Sequence, residues 1–299
     1  MGERYFGVAE ILVNFMIACE NYNQLEVTIY IPHPALQAFV VNFSTIHAVL
    51  PPTITEVVNP YPPSPFQTLF FYGNDPVSMS REGETNFDKQ AASILTGPQF
   101  SRVNIKVHRQ IRAVRVDFLP GALYRVTGIP MHELLDQGID AADVFGPEIK
   151  IVNDKLQRAK DLEQCKNIVE QFLLTRVSTV RDHSSFDSAM RVLLQANGGL
   201  RIETAASLSC LSLKQFERQC RQRIGMNPKT YARILKFSKA YRLHEASPQL
   251  SWLQIAHEAG YYDQMHLIRD FKLFAGVNPS VIGQQLLSTP IRMQKDLRY

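Results

Sequence analysis

GMNPKTY at residues 225–231 and GVNPSVI at residues 276–282 share the pattern Gly-x-Asn-Pro and begin 51 residues apart. Glycine often ends a helix because it adopts the left-handed backbone conformation without steric cost. Asn is a good helix N-cap, and Pro is favoured at the first helical position. Each copy therefore predicts the end of one helix and the start of the next.

The similarity between the two copies extends upstream of the glycines. With the same shift, Ser212 falls on Asp263, and both side chains suit a helix N-cap. Apolar residues then lie four positions apart in each copy, so they share one helix face, which we assign to the core. The matched positions are Phe216 with Leu267, Cys220 with Phe271 and Arg218 with Arg269. Each copy thus predicts a capped helix with one buried face.

A shorter helical pattern precedes each capped helix, at residues 202–209 and 252–259. A short helix, a tight turn and a second helix form a helix-turn-helix, which places its second helix in the major groove of DNA. Residues 228–246 lack an interior Gly or Pro and predict one long helix between the two motifs. Helix pairs also build structural bundles, so the DNA-binding interpretation depends on there being two copies with matching Arg residues.

The positive charge of the chain lies in its second half. Residues 188–299 contain 16 Lys and Arg against 7 Asp and Glu, a net charge of +9, whereas residues 1–187 contain 16 against 21, a net charge of −5. Such asymmetry favours a basic module that meets a polyanion, attached to a module that does not. An ordinary basic surface is the alternative that charge alone leaves open.

Residues 255–272, with GVNP behind them at 276–279, resemble the C-terminal signature of AraC/XylS-type transcriptional regulators. The resemblance covers about residues 187–283 and implies seven helices, with a long one between two helix-turn-helix motifs. The first copy departs from the family pattern, since Cys210 stands where Gly is usual and Cys220 where Phe is usual. The resemblance implies a bacterial, sequence-specific regulator of transcription that binds double-stranded DNA.

The outward face of each second helix provides the candidate DNA contacts. Arg suits guanine O6 and N7, Gln suits adenine, a carboxylate accepts from cytosine N4, and Met contacts a thymine methyl group. The resemblance implies that Lys214, Glu217, Arg218, Gln264, Met265 and Arg269 face the groove. The full set of candidates is Lys214, Gln215, Glu217, Arg218 and Arg221 in the first copy, with Gln264, Met265, His266 and Arg269 in the second.

Some of these polar residues also have a structural interpretation. Glu217 lies four residues before Arg221 and would suit an ion pair on the helix surface. His266 would suit a position over the edge of the core. Cationic residues on the linking helix are candidates for phosphate contacts, although charged residues on such a helix face solvent by default. They are Lys229, Arg233, Lys236, Lys239 and Arg242.

The first half of the chain has a different pattern. Between residues 39 and 127, short alternating or β-branched runs are broken by Pro and Gly, and they predict an antiparallel sheet or barrel. The clearest runs are 67–72, 103–107 and 111–118. Beyond Pro130 the apolar period becomes helical. Residues 115–124, with GIP at 128–130, resemble a front module found in some members of the family.

We therefore predict an α+β protein with two domains. Residues 1–177 form an antiparallel β-rich domain with helices, which binds an effector or mediates dimerisation. The polar stretch at residues 178–187 is the linker. Residues 188–299 form an all-α DNA-binding domain with two helix-turn-helix motifs joined by a long helix.

Motifs of enzymes and cofactor sites are absent from the sequence. It contains no Gly-rich phosphate loop, no H-E-x-x-H and no G-x-S-x-G. The four cysteines lack C-x-x-C spacing, which indicates reduced thiols rather than a metal site or a disulfide. We predict no catalytic residue, metal or cofactor.

A catalytic domain fused to DNA-binding helices, such as an alkyl-acceptor repair enzyme, would need an activated Cys or a four-Cys zinc site. A scaffold for protein interactions is the other alternative, and it would not need matching exposed Arg residues.

Partners and location follow from the resemblance and from the N-terminal residues. The front domain of this family usually senses a small molecule or mediates dimerisation, so an effector, a second copy of the chain and RNA polymerase are expected partners. The apolar run at residues 11–18 is short, interrupted and flanked by Glu, unlike an export signal or a membrane span. We predict a cytoplasmic protein without a membrane partner.

Overall fold

Ten antiparallel strands build the first half of the computed structural model, which describes residues 26–178, 180 and 184–282. The apolar run at residues 11–18 lies outside the described residues. The strands are β1 (Glu26–Tyr30), β2 (Val40–Val49), β3 (Glu56–Tyr61), β4 (Thr68–Tyr72), β5 (Ser78–Arg81), β6 (Asp88–Lys89), β7 (Ser93–Thr96), β8 (Val103–His108), β9 (Gln110–Phe118) and β10 (Gly138–Asp140). The three runs that the sequence marks most clearly are confirmed as β4, β8 and β9.

The strands form two sheets that face each other. One sheet has the order β1-β2-β9-β4-β7-β10, and the other has the order β3-β8-β5-β6. Side chains of both sheets, among them Ile46, Val57 and Val107, form one buried cluster between them. Because side chains alternate across a strand, Val114 and Val116 on β9 lie on the opposite face, within a second apolar cluster. The larger sheet is therefore covered on both sides.

Helices of the first half supply the second cluster. They are α1 (Ala122–Thr127), α2 (Ala141–Phe145), α3 (Glu148–Gln157) and α4 (Leu162–Val177), with short 3-10 turns at Pro34–Leu36 and Met131–Leu134. The predicted change to helix after Pro130 is wrong in two respects. Helix α1 already begins at Ala122, and β10 returns to the edge of the large sheet beside β7. A strand of three residues is too short to show a period of two.

The second half is helical, as predicted. Its helices are α5 (Ser185–Gln195), α6 (Ile202–Leu208), α7 (Leu213–Arg223), α8 (Pro228–Ala246), α9 (Trp252–Glu258) and α10 (Gln264–Ala275), and residues 279–282 are helical as well. Helix α5 begins inside the predicted linker, because Ser184 and Asp187 form a capping box there. The domain limits remain a prediction.

The repeated Gly-x-Asn-Pro pattern has the predicted geometry. Gly225 and Gly276 follow α7 and α10 with φ of +92° and +70°. Asn227 caps α8 by accepting a hydrogen bond from the Thr230 amide at 2.8 Å, and Pro228 is its first residue. In the shorter turn between the two helices of each motif, Cys210 and Gly260 occupy equivalent places with φ of +54° and +80°. The first copy therefore keeps the turn with a residue that is strained in this conformation.

We predict that Cys210→Gly stabilises the protein. A non-glycine residue in the left-handed region costs about 1–2 kcal/mol, and the extra freedom of glycine in the unfolded chain cancels part of that gain. The expected increase in the free energy of unfolding is about 0.5–1 kcal/mol, measured by urea denaturation of the full chain.

Gly260→Ala is the matched control, because a Cβ atom there meets no atom within 4 Å and only the backbone strain changes. Gly260→Ala should lower the free energy of unfolding by a similar amount. Equal stability of Cys210→Gly and the unchanged protein would contradict the assignment of strain to Cys210.

Candidate nucleic-acid interface

Helix α7, the first recognition helix, is fixed by its cap and its buried face. Ser212 and Gln215 form a capping box at its start. Phe216 and Cys220 are fully buried, as their spacing predicts. Cys220 contacts Met190, with 3.8 Å between the two sulfur atoms. The opposite face of the helix therefore points outward.

The outward face of α7 carries the predicted polar side chains. Lys214, Glu217, Arg218 and Arg221 are exposed. In the described part of the chain, Glu217 forms no ion pair with Arg221, so the alternative of a helix-surface pair is not realised. Gln215 is also exposed, but its side-chain oxygen accepts hydrogen bonds from the Ser212 amide and hydroxyl at 3.0 and 2.9 Å. Only the amide NH₂ group of Gln215 remains to donate to a base.

Helix α10, the second recognition helix, has an equivalent design with a different cap. Leu267 and Phe271 are fully buried. Asp263 accepts hydrogen bonds from the His266 amide and pairs with its imidazole, at 2.8 and 2.9 Å. The backbone hydrogen bond from His266 is the main reason why the pKa of Asp263 lies below its ordinary value. His266 is therefore exposed and bound to the cap, rather than placed over the edge of the core.

The outward face of α10 is open to solvent. Met265 and Arg269 are exposed, and Gln264 is half-buried. Tyr262, directly before the cap, is 93% exposed and lies edge-on to His266, with 6.1 Å between ring centroids. Tyr262 is not among the contacts predicted from the sequence, although its place beside the capping Asp263 is a signal that the sequence contains. An exposed aromatic side chain at the start of a recognition helix is a further candidate DNA contact.

Helix α8 links the two motifs and is tied to α10. Arg233 donates to Asp270 Oδ1 at 3.0 and 2.5 Å, and Tyr261 donates to Asp270 Oδ2 at 3.2 Å. The Arg233 guanidinium also lies over the Phe274 ring. Arg233 thus has partners within the protein, but its side chain is 47% exposed, so the phosphate contact stays a prediction. Lys229 is exposed, and Lys236 and Lys239 are half-buried.

The first domain touches the C-terminal end of both recognition helices. A Cβ atom at Gly225 would collide with Pro98 and with the Met131 carbonyl. Beside α10, Arg102 donates to the Ala275 carbonyl at 3.4 Å, and the rings of Phe100 and Phe274 meet edge to face. The two domains are therefore packed together at the glycines of the repeat.

The outward face of α7 lines a cleft between the domains. The cleft has a volume of about 1150 Å³, and Phe100, His132 and Leu135 of the first domain form one side of it. Lys214, Glu217, Arg218 and Arg221 line the other side. A DNA duplex whose base edges contact α7 must therefore enter this cleft beside the first domain. The outward residues of α10 lie outside the cleft.

A buried charged pair lies between the two sheets. Arg115 and Asp117 are almost completely buried, and Arg115 Nε donates to Asp117 Oδ1 at 2.8 Å. Thr68 donates to the same oxygen at 3.0 Å. Burial raises the pKa of Asp117, and the charge of Arg115 opposes that shift. Next to this pair is a small internal cavity of about 50 Å³, and its lining includes Tyr61, Thr68 and Phe70.

Metal ligands and activated thiols are the groups that the alternative of a fused catalytic domain would need. Among the described residues, no group of three or more His, Cys, Asp or Glu side chains is arranged to hold a metal ion. Burial raises the pKa of the Cys165 and Cys220 thiols, the opposite of what a reactive cysteine requires.

In the described ranges, none of the helices has the length and apolarity that a bilayer span needs.

A part of each half of the chain matches a known domain model. Residues 204–285 match the model of a helix-turn-helix domain, and residues 28–140 match that of a domain of unknown function (DUF6597). The first match contains both recognition helices and the helix between them. The C-terminal part of the chain is an AraC-type helix-turn-helix domain. The predicted resemblance and the α+β fold class are confirmed.

Individual relatives of this chain are distant in sequence. It is 27% identical over 153 residues to an uncharacterised helix-turn-helix transcriptional regulator of Haemophilus influenzae, and the match covers 50% of this chain and 51% of the relative. The chain thus spans about half the length of the curated relative that it matches. ToxT of Vibrio cholerae aligns with 78% of this chain and 99% of its own at 11% identity and a TM-score of 0.43. The AraC-like transcriptional activator CuxR aligns with 76% of this chain and 90% of its own at 12% identity and a TM-score of 0.28.

We predict that Arg269→Ala relaxes sequence preference at one base pair of the specific site. Arg269 is exposed on the outward face of α10, and an Arg paired with a guanine edge contributes about 1–3 kcal/mol of discrimination. Affinity for the specific duplex should fall by that amount, as measured by fluorescence anisotropy on duplexes that differ at each position in turn.

Lys229→Ala is the control on the linking helix, where the exposed side chain suits a phosphate and carries no base information. It should weaken all duplexes alike. If Arg269→Ala also weakens every duplex equally, the assignment of Arg269 to base recognition is wrong.

Proposed function

We propose that this chain is a sequence-specific DNA-binding regulator of transcription whose two recognition helices enter successive major grooves. The observation that carries the proposal is the pair of matched, capped helices joined by one uninterrupted helix of 19 residues. At 1.5 Å per residue, α8 is about 28 Å long, close to the roughly 34 Å repeat of the double helix. One copy of the chain is then able to present both outward faces to one side of the DNA.

The two outward faces have complementary tasks in this proposal. Arg218 and Arg269 read guanine edges, and Gln264 reads adenine. Met265 and Tyr262 contact apolar base surface, while Lys229 sits near phosphates. The net charge of +9 over residues 188–299 supplies the sequence-independent part of the affinity. A scaffold for protein interactions would not require these side chains on both helices at matching positions.

Modulation by the first domain is the second part of the proposal. A small-molecule effector would enter the space between the two sheets, where Thr68 and Tyr61 offer hydroxyl groups and Phe70 offers an apolar wall. The cavity of about 50 Å³ has room for only a few water molecules, so an effector would have to enlarge it. The contacts of the first domain with α7 and α10 provide the route by which such a change would reach DNA.

The first domain also has a surface that suits a second copy of the chain. A groove between α3 and α4 is lined by Ile151, Ile168 and Phe172, and Ile151 is 56% exposed. An exposed apolar groove of this kind suits a second copy of the chain, so we propose a homodimer through these helices. RNA polymerase is a further partner that the resemblance implies. As a DNA-binding regulator of transcription, the protein would act in the bacterial cytoplasm, without catalysis.

The spacing of the two motifs gives a test of the proposal. Insertion of about five base pairs between the two recognised boxes turns one box to the opposite face of the DNA. We predict that this insertion abolishes specific binding by the full chain in a gel-shift assay, because α8 is too rigid to follow. The same insertion outside the boxes is the control and should have no effect. Unchanged affinity after the internal insertion would mean that only one motif reads bases.

Salt dependence gives an independent test. If about six phosphates are neutralised, affinity should fall on the order of a thousandfold between roughly 50 and 200 mM salt. The slope of log affinity against log salt should decrease by about one for Lys229→Ala. A flat salt dependence would contradict DNA binding and favour the scaffold alternative.

A further inference from the structure

The segment between β3 and β4 is buried along its whole length. Residues 62–67, PPSPFQ, have no regular secondary structure, yet every one of them is buried. Loops normally run over the protein surface because their backbone groups need water. Here the backbone is partly satisfied inside the protein, since the Phe118 amide donates to the Gln67 carbonyl at 3.0 Å and the Phe66 amide donates to Ser64 Oγ at 3.3 Å. We call residues 62–67 the interdomain strap.

The strap enters the DNA-binding domain. Phe66 is 2% exposed and belongs to the same apolar cluster as Phe216, Ile224 and Leu235, although it lies in the sheet domain. The side-chain amide of Gln67 donates to the Ile224 carbonyl at 3.3 Å. Ile224 is the C-cap of the first recognition helix. Two consecutive strap residues therefore hold the end of that helix and its core.

The residues that flank the strap line the cavity between the sheets. They are Tyr61 and Thr68. Tyr61 is also close enough to Arg115, Asp117 and Glu245 for their charges to affect its pKa, which burial raises. Glu245 belongs to α8, so the linking helix reaches the same region. Cavity, strap and DNA-binding domain thus form one continuous set of contacts.

The strap is also stiff. Pro62, Pro63 and Pro65 each fix the backbone angle φ, so the segment has few ways to absorb a displacement at one end. A cavity of about 50 Å³ has to expand to hold more than a few water molecules. Expansion displaces Tyr61 or Thr68, and a stiff segment passes that displacement on to Phe66 and Gln67.

We propose that residues 62–67 couple the space between the sheets to the C-terminal end of the first recognition helix. The proposal rests on the proposed function, since it describes how the first domain regulates that site. Filling the internal cavity shifts the position of Phe66 and Gln67, and thereby the position of α7 and its Gly225 turn. The hydrogen bond from Gln67 reaches the C-cap of the first recognition helix, so the proposed coupling acts on the first motif.

A substitution that fills the cavity serves as the probe, because it needs no knowledge of the effector. Ala113 lines the cavity and is 2% exposed, so Ala113→Ile adds volume there. The measurement is hydrogen exchange in the full chain at the Ile224 and Gly225 amides, which both donate to the Cys220 carbonyl. We expect exchange at these amides to accelerate about fivefold or more. Val114→Ile is the matched control, since it adds volume on the opposite face of the same strand.

The strap variants decide whether the effect travels through residues 62–67. In a Gln67→Met background, which removes the hydrogen bond to Ile224, and in a Phe66→Leu background, the response to Ala113→Ile should shrink to less than about twofold. Phe66→Ala is the stronger variant if the chain remains folded by circular dichroism. Unchanged exchange at Ile224 and Gly225 in Ala113→Ile overturns the coupling, as does a full response in both strap backgrounds.

DNA binding is measured in parallel, so that the two proposals fail separately. Ala113→Ile should change affinity for the specific duplex in the unchanged background and lose that effect in the Gln67→Met background. If exchange is coupled but no duplex is bound specifically, the proposed function fails while the coupling stands. If DNA is bound specifically but Ala113→Ile has the same effect in both backgrounds, the coupling alone is wrong.

Discussion

The left-handed backbone at Gly225 is the constraint on which the arrangement of the two domains depends. It ends the first recognition helix, and two residues later Asn227 begins the linking helix, so one turn sets the angle between them. The missing side chain also leaves room for Pro98 and the Met131 carbonyl, which approach too closely for any Cβ atom. A local requirement of helix termination and a requirement of domain packing thus fall on the same residue. At Gly276 the same combination recurs, with Glu82 as the neighbour from the first domain.

The sequence predicts the elements of the second half well because their signals are local. Caps, glycine turns and the period of apolar residues lie within a few positions of one another, and the predicted bounds of α8 agree with the structure. The sequence does not predict partners that lie far apart in the chain. Arg233 reads as a cation without a partner in the protein until Asp270, 37 positions away, is brought beside it. His266 and Gln215 likewise read as base contacts, whereas the structure uses part of each in a helix cap.

The first half is harder to predict, and the strap shows why. Three prolines within the six residues PPSPFQ are typical of an exposed loop. Nothing in the local sequence indicates that two domains close over it. Phe66 is an apolar residue of a type common in protein cores. Its position between two strands predicts burial in the sheet domain, whereas it packs in the core of the helical domain. Likewise β10 is too short for a pattern, and its position is set by pairing with β7. Burial between domains is a tertiary property that no window of sequence contains.

The two motifs differ in how much they depend on the first domain. In the first motif, Cys220 fills less space than the Phe271 that matches it in the second, and its turn keeps a strained Cys210 where the second has Gly260. That motif also receives outside contacts: Gln222 donates to the Tyr124 hydroxyl at 2.9 Å, Arg223 lies over the Tyr124 ring, and Phe66 completes its core. The first motif thus has weaker internal packing and more contacts from the first domain. We therefore expect its position to change when those contacts move. The second motif has a glycine turn and an aromatic core, so its packing depends less on the first domain. The departures from the repeat therefore fall on the copy through which regulation would act.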